Sequence, residues 1–191
     1  MLYRMAYVLG NLILRLCYSV EIMFEANPSD LDGGAIVCSN HTRYLDPIII
    51  GTTLPKQVRF MAKKELFNGK LKNYFLTRLG AFPVSRGEND IKSMKTAIQI
   101  VKDGGVLGLF PEGTRNITGE DMEAKAGVGF IVAKTGRPVI PITIRGGKKF
   151  RSKLLITVGK AIDFSEYAAR KLNSEDYRTI SGMIMDRIRA N

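Results

Sequence analysis

The sequence has few of the residues from which metal sites and disulfide frameworks are built. Its 191 residues include one histidine, two cysteines and no tryptophan. Cys17 and Cys38 cannot form a disulfide framework, and they lie too far apart to make a CxxC metal-binding pair. The composition therefore argues against a structural zinc site and favours a reducing, cytoplasmic setting.

The sequence also lacks an apolar run that could cross a bilayer. The uncharged stretch at residues 5–14 is shorter than the roughly 20 residues that a spanning helix needs, and no convincing signal-peptide cleavage site follows it.

In the N-terminal segment, Arg4, Asn11 and Arg15 would share one helical stripe. We predict an amphipathic helix at residues 1–26 that lies in a membrane interface, followed by one domain at residues 27–191. The apolar arc of the helix would comprise Leu2, Met5, Leu9, Leu12, Ile13, Leu16 and Val20. The alternative is an ordinary helix packed on the core.

The charge is strongly positive, at +11. Such a surface favours an anionic partner, which could be a phospholipid surface, a nucleic acid or a phosphorylated substrate. The basic residues are dispersed and no aromatic stacking motif accompanies them, so we expect no nucleic-acid partner. Apolar residues make up 45% of the chain, which is typical of a globular domain with a substantial core.

Short apolar strands alternate with helices along the chain. This order predicts an α/β fold in three layers, with a mainly parallel central sheet flanked by helices. In such sheets the functional site lies where loops leave the carboxyl ends of the strands. The predicted strands are at residues 35–38, 58–61, 81–84, 106–110, 139–144 and 154–158. Predicted helices begin at Asp46, as an N-cap, and at Ile91, cover residues 71–79 and 128–134, and run from a Ser174 cap to about residue 190.

The single histidine, His41, is followed five residues later by Asp46. A turn before the helix start at Asp46 would let this carboxylate orient the imidazole, as in a catalytic triad. There is no GxSxG nucleophile motif and neither cysteine lies in a polar loop, so His41 would activate a substrate hydroxyl or a water directly. The alternatives are a structural histidine and an aspartate that serves as a helix cap.

A second polar segment follows the predicted strand at residues 106–110. Here Gly113 would allow a ligand to approach the backbone closely. Arg115 could hold a phosphate bidentately, while Glu112 could bond a polyol hydroxyl or steer Arg115. The alternative is a salt bridge in a surface turn, and the same two possibilities apply to Arg86.

Four sequence blocks, in order, resemble the signature of the bacterial 1-acylglycerol-3-phosphate acyltransferases, within the glycerolipid acyltransferase family. Residues 40–46 match the NHxxxxD block, and residues 80–86 resemble the second block. Residues 110–115 closely match the third, and residues 137–141 resemble the fourth. Together the blocks span about half of the chain.

The resemblance implies roles for individual residues. His41 would be the general base and Asp46 its orienting partner. Arg86 would line the glycerol-phosphate site, and residues 110–115 would bind the acceptor phosphate. The substrate-binding residues implied in this way are Arg86, Glu112, Gly113, Thr114, Arg115, Lys63 and Lys125. Lys63 follows a predicted strand and could add positive charge.

The activity implied is transfer of a fatty acyl group to the 2-hydroxyl of lysophosphatidic acid, giving phosphatidic acid. The donor would be a thioester on coenzyme A or acyl carrier protein, with no metal or cofactor. The enzyme would work on an anionic membrane surface, at the cytoplasmic face of the cell membrane. Acylation of glycerol-3-phosphate or another lysophospholipid is an alternative. A protein that binds anionic membranes without catalysis is another, and it would not need His41.

Overall fold

The computed structural model describes residues 2–85, 90–118 and 120–191. The helices are α1 (Leu2–Cys17), α2 (Asp46–Thr53), α3 (Lys70–Arg78), α4 (Ile91–Lys102), α5 (Ala126–Thr135), α6 (Ser165–Ala168) and α7 (Ser174–Ala190). The strands are β1 (Ser19–Phe24), β2 (Ala35–Ser39), β3 (Val58–Lys63), β4 (Phe82–Val84), β5 (Val106–Leu109), β6 (Val139–Gly146) and β7 (Lys153–Val158). Short 3-10 helices occur at Pro28–Leu31 and Lys64–Phe67.

Within the described residues, the strands form one seven-stranded sheet in the order β1-β7-β6-β2-β5-β3-β4. The strands from β6 to β4 are parallel to their neighbours. β7 runs antiparallel to β6, and β1 pairs parallel with β7. The mainly parallel α/β fold predicted from the sequence is thus confirmed.

Helices cover both faces of this sheet. On the central strand β2, Ile36 and Cys38 point to one face and join the core that α4, α5 and α7 complete. Ala35 and Val37 point to the other face, where the core includes residues of α1 and α2. Because β2 is buried on both sides, its side chains from Ala35 to Cys38 are apolar without the alternation of a half-exposed strand.

The predicted N-terminal helix is shorter than expected, because α1 ends at Cys17. Residues 19–24 form the edge strand β1, and Val20 pairs with Leu154 of β7 instead of extending the helix. In β1 the half-buried Val20 and Ile22 alternate with the exposed Ser19 and Glu21, which is the two-residue period of a strand. The division into a membrane helix and a domain stays a prediction.

Helix α1 turns its polar side toward α2. The Tyr3 hydroxyl donates to the carbonyl of Gly51 at 3.0 Å, and the Asn11 amide donates to the carbonyl of Thr52 at 2.7 Å. Leu14 reaches the core. The exposed apolar side chains of α1 are Met5, Val8, Leu9, Leu12, Ile13 and Leu16. In the part of the chain that the structure describes, no helix is long and apolar enough to span a bilayer.

Helix α7 begins one residue earlier than predicted, because Asn173 rather than Ser174 is its cap. The Asn173 side chain accepts hydrogen bonds from the backbone N–H groups of Glu175 and Asp176. This satisfies two donors that would otherwise be left open at the first turn.

Candidate active site

Two polar loops meet at the carboxyl edge of the sheet. β2 ends at Ser39, two residues before His41, and β5 ends at Leu109, directly before Phe110. β2 and β5 are adjacent and parallel, with Cys38 opposite Leu109 in register. The loops that follow these strands therefore leave the sheet side by side, as predicted for this type of fold.

The structure brings His41 and Asp46 together. The Nδ1 atom of His41 lies 3.0 Å from Oδ2 of Asp46. Asp46 is fully buried, and the same oxygen accepts the backbone N–H groups of Thr42 and Arg43, both at 2.7 Å. With Nδ1 occupied by the carboxylate, Nε2 is the ring nitrogen that can face a substrate, and the His41 side chain is 17% exposed.

Asp46 does not cap α2 in the predicted way. It is the first residue of the helix, and Leu45 occupies the cap position without a side-chain cap. The carboxylate turns back to the loop that carries His41, where it accepts the Thr42 and Arg43 amides. The aspartate therefore organises the His41 loop as well as the imidazole.

Arg43 links this pair to the end of β6. Its Nε atom lies 3.4 Å from Oδ1 of Asp46. Its NH1 group donates to the carbonyls of Gly146 and Gly147, at 3.0 and 2.8 Å. The guanidinium compensates the buried charge of Asp46. Sequence reasoning missed this role, because Arg43 occupies an unspecified position between the histidine and the aspartate.

The loop after β5 holds the main chain of His41. The His41 N–H donates to Oε2 of Glu112 at 2.8 Å, and the Asn116 N–H donates to the carbonyl of His41 at 2.6 Å. Glu112 is buried, and this burial raises the pKa of its carboxyl group, although the hydrogen bond from His41 opposes the shift. Glu112 thus contacts the main chain of His41. Its predicted roles toward a polyol hydroxyl or Arg115 stay predictions.

Two further contacts fix this loop. The Asn40 side chain accepts from the N–H of Ile144 and donates to its carbonyl, at 2.8 and 2.9 Å, so it continues the hydrogen bonding of β6. The His41 ring stacks on Phe110, with centroids 4.0 Å apart and planes inclined by 19°. Phe110 in turn stacks on Phe60 of β3. The imidazole therefore lies against an aromatic wall.

Arg115 lies over the loop that follows His41. Its guanidinium carbon is 3.4 Å from the centre of the Tyr44 ring, and its NH2 group donates to the Tyr44 hydroxyl at 2.7 Å. Thr114 beside it is exposed. The stack holds a cation next to the His41 loop, and sequence reasoning did not single out Tyr44.

Gly113 and Lys125 are neighbours. Gly113 has φ +70°, and a Cβ placed on it would lie 2.8 Å from Cδ of Lys125. The Lys125 N–H donates to the carbonyl of Pro111 at 2.9 Å. The side chain of Lys125 therefore passes over the glycine, and of the two lysines implied by the resemblance it is the one that contacts the third block.

The structure says less about Lys63 and Arg86, the other two predicted substrate-binding cations. Lys63 ends β3, and its ammonium group lies 3.8 Å from Glu65, in an exposed pair. Arg86 lies outside the described residues. Beside it, the Ser85 N–H donates to Asp90, the cap of α4. Hydrogen bonds from Ser93, and then from Ser85, lower the pKa of Asp90 to about 2.

Neither cysteine resembles a nucleophile. Cys38 lies in the middle of the sheet and is fully buried, and this burial raises the pKa of its thiol far above the ordinary value. Cys17 is the last residue of α1 and is partly exposed. A thiol that stays protonated cannot attack an ester or thioester carbon.

Known proteins match both the sequence and the fold. A protein-family model described as Acyltransferase matches residues 20–145. The 1-acyl-sn-glycerol-3-phosphate acyltransferase of Bacillus subtilis is 34% identical over 164 residues, which cover 83% of this chain and 81% of the relative. The protein of the same name from Streptococcus pneumoniae is 28% identical over 193 residues, which cover 95% of this chain and 71% of the relative.

A solved structure shares the fold. The crystal structure of the 1-acyl-sn-glycerophosphate acyltransferase PlsC from Thermotoga maritima matches with a TM-score of 0.74 and 20% identity, covering 98% of this chain and 78% of that chain. The matched family region contains both loops that meet around His41. By its family match and its relatives, this chain belongs to the acyltransferase family.

Proposed function

We propose that this enzyme transfers a fatty acyl group from a thioester to the 2-hydroxyl of 1-acylglycerol-3-phosphate, giving phosphatidic acid. The observation that carries the proposal is the His41–Asp46 pair, with Nδ1 on a buried carboxylate and Nε2 free for a substrate hydroxyl. The Bacillus subtilis relative, whose name states this activity, supports the choice of acceptor.

In the proposed reaction His41 is the general base. Its Nε2 takes the proton of the 2-hydroxyl while the hydroxyl oxygen attacks the thioester carbonyl carbon. Asp46 stabilises the imidazolium that forms and keeps the ring in its tautomer. The tetrahedral intermediate then expels the thiolate, which receives the proton from His41. The new ester and the free thiol leave, and the imidazole is neutral again.

Arg115 and Lys125 are the proposed partners of the acceptor phosphate. Both lie on the segment that holds the His41 backbone, and Lys125 runs over Gly113. A guanidinium can hold two phosphate oxygens at once. Binding the phosphate on this loop would place the 2-hydroxyl of the same small molecule near Nε2. Arg86 and Thr114 complete the proposed acceptor site, and Lys63 would add positive charge.

The proposed donor is acyl-coenzyme A or acyl carrier protein, and the proposed location is the cytoplasmic face of the cell membrane. The exposed apolar side of α1 supports docking on an anionic bilayer, because its polar side is occupied by α2. The acceptor and the product both reside in that bilayer.

The direct test is an acyl-transfer assay with the purified protein. Lysophosphatidic acid and glycerol-3-phosphate are offered separately, each with acyl-coenzyme A and with acyl carrier protein thioester, and the lipid product is identified by mass spectrometry. We expect phosphatidic acid from lysophosphatidic acid. Preferential acylation of glycerol-3-phosphate would contradict the proposed acceptor.

A further inference from the structure

Helix α3 carries an apolar stripe that faces solvent. Leu71, Tyr74 and Phe75 stand at positions i, i+3 and i+4, so they share one side of the helix. They are 70%, 53% and 43% exposed. Leu66, in the 3-10 helix just before α3, is also exposed. Within the described residues this side of α3 has no partner that buries it.

Cations surround this stripe. The segment at residues 63–78 contains one acid, Glu65, and five cations: Lys63, Lys64, Lys70, Lys72 and Arg78. At about 100° per residue, Lys70 and Lys72 fall on opposite flanks of the stripe. Arg78 lies 5.3 Å from the centre of the Tyr74 ring. Lysines on the flanks of an exposed apolar stripe are typical of helices that lie in an anionic lipid interface.

The topology places α3 in the same helical layer as α1 and α2. The crossovers from β2 to β3 and from β3 to β4 step across the sheet in one direction. Since such crossovers are right-handed, α3 lies on the face that α2 covers. The crossover from β4 to β5 through α4 and the crossover from β5 to β6 through α5 step across the sheet in the opposite direction. These two helices accordingly cover the opposite face of the sheet. The solvent-facing stripes of α1 and α3 therefore belong to one side of the molecule.

We propose that α3, together with Leu66, is a second docking site for an anionic phospholipid bilayer, separate from α1. This inference rests on the proposed function, because it assumes that the substrate is a membrane lipid. The segment begins where β3 ends, at the edge of the sheet that carries His41. Docking through both helices brings the mouth of the site to the bilayer and restricts rotation of the protein on its surface.

The first test measures sedimentation with vesicles of phosphatidylcholine containing phosphatidylglycerol. Replacing Leu71 and Phe75 together with serine should lower the vesicle partition coefficient roughly tenfold, because two large apolar side chains no longer insert. Met183→Ser is the matched control: Met183 is 45% exposed on α7, on the opposite face of the sheet. It should bind vesicles like the wild type.

The second test addresses charge. Lys70→Gln with Lys72→Gln should weaken binding to the same vesicles about fivefold for each lysine at low salt. The corresponding control is Lys102→Gln with Lys171→Gln, two exposed cations outside the α3 segment. This variant pair keeps the apolar stripe, so it tests the site even if the serine variant fails to fold.

The outcomes separate this proposal from the function. Unchanged vesicle binding by both α3 variants would overturn it. Unchanged binding together with loss of activity on the acyl carrier protein donor would also overturn it and assign the face to that acidic protein. Reduced vesicle binding by the α3 variants supports the docking site. In that case, a wild-type protein that acylates no lysophosphatidic acid would refute the proposed function alone.

Discussion

At the scale of single residues, the position of His41 is set through its main chain and its ring. Its N–H and carbonyl are bonded to the loop after β5, its Nδ1 to Asp46, and its ring face to Phe110. A general base must lie within hydrogen-bond reach of the proton that it removes. Substitutions in either loop are therefore expected to change turnover through the position of the imidazole.

His41→Ala should lower kcat about 10²–10⁴-fold, the usual contribution of a general base, while the protein still folds. Asp46→Asn should also be severely impaired, because an amide does not stabilise the imidazolium as a carboxylate does. Steady-state acyl transfer, with circular dichroism as the control for folding, tests both. A folded His41→Ala protein with near wild-type turnover would refute the mechanism.

Glu112 allows a test of pH dependence. Burial raises its pKa above the ordinary 4.5, so the folded state favours the protonated acid. This contribution to stability is complete below that ordinary value and is lost as the pH rises through the folded-state pKa. Glutamine has no such proton to lose. The Tm of Glu112→Gln minus that of the wild type should therefore grow as the pH is raised from acid to neutral.

The companion variant of Glu112 is alanine. Glutamine still offers an oxygen to the His41 N–H, whereas alanine leaves that amide unpaired at a cost of about 1–3 kcal/mol. We expect kcat to fall more in Glu112→Ala than in Glu112→Gln. Equal kcat values in the two variants would show that the hydrogen bond to His41 does not position the base.

Arg115→Ala should raise the KM for the phosphorylated acceptor roughly ten- to hundredfold, because a charge-assisted hydrogen bond is lost. The KM for the thioester should change much less. Tyr44→Ala should have a smaller effect of the same kind, about two- to fivefold, because the stack merely orients the guanidinium. A similar rise in both KM values would argue against a dedicated phosphate role.

At the scale of helices and strands, α1 is expected to supply membrane contact and no chemistry. Replacing Leu9, Leu12, Ile13 and Leu16 with serine should reduce liposome binding and activity on bilayer-presented acceptor, since each side chain loses part of the roughly 1.5–3 kcal/mol that its burial is worth. Activity on a short-chain, soluble acceptor should survive. Unfolding, or equal loss on both acceptors, would instead show that α1 is part of the core.

The central strands β2, β5 and β6 were predictable because each is a short, mainly apolar run buried on both faces. β1 was not, since its apolar residues continue those of α1 without a glycine or proline between them. In β1 the pairing with β7 decides the conformation, and that pairing joins residues far apart in the chain.

In the candidate site, too, some contacts could be predicted from the sequence and others could not. The spacing of His41 and Asp46 predicted their contact, because both residues flank one helix start. Asn116 was missed, since it acts on His41 through a backbone N–H, and any residue carries that group. Arg43 was missed because its partners are backbone carbonyls at the end of β6. Contacts of this kind leave no pattern in the sequence.

At the scale of the whole molecule, the C-terminal helix supports the site from a distance. The hydroxyl of Ser181 on α7 accepts the Gly129 N–H of α5 and donates to the carbonyl of Lys125, both at 2.9 Å. Lys125 is in turn bonded to Pro111 in the loop that holds His41. The two helices approach so closely that a Cβ on Gly129 would meet the Tyr177 carbonyl. The packing of α7 thus fixes the loop after β5 that holds His41.

Docking of the exposed apolar residues of α1 on a bilayer, as proposed above, would have a kinetic consequence. An enzyme held on the bilayer meets its acceptor by diffusion in two dimensions, so its rate depends on the mole fraction of lysophosphatidic acid in the surface and not on the bulk concentration. Adding inert lipid at constant total acceptor should therefore slow the wild-type enzyme by surface dilution. The serine variant of α1, measured on a soluble acceptor, should be insensitive to the added lipid.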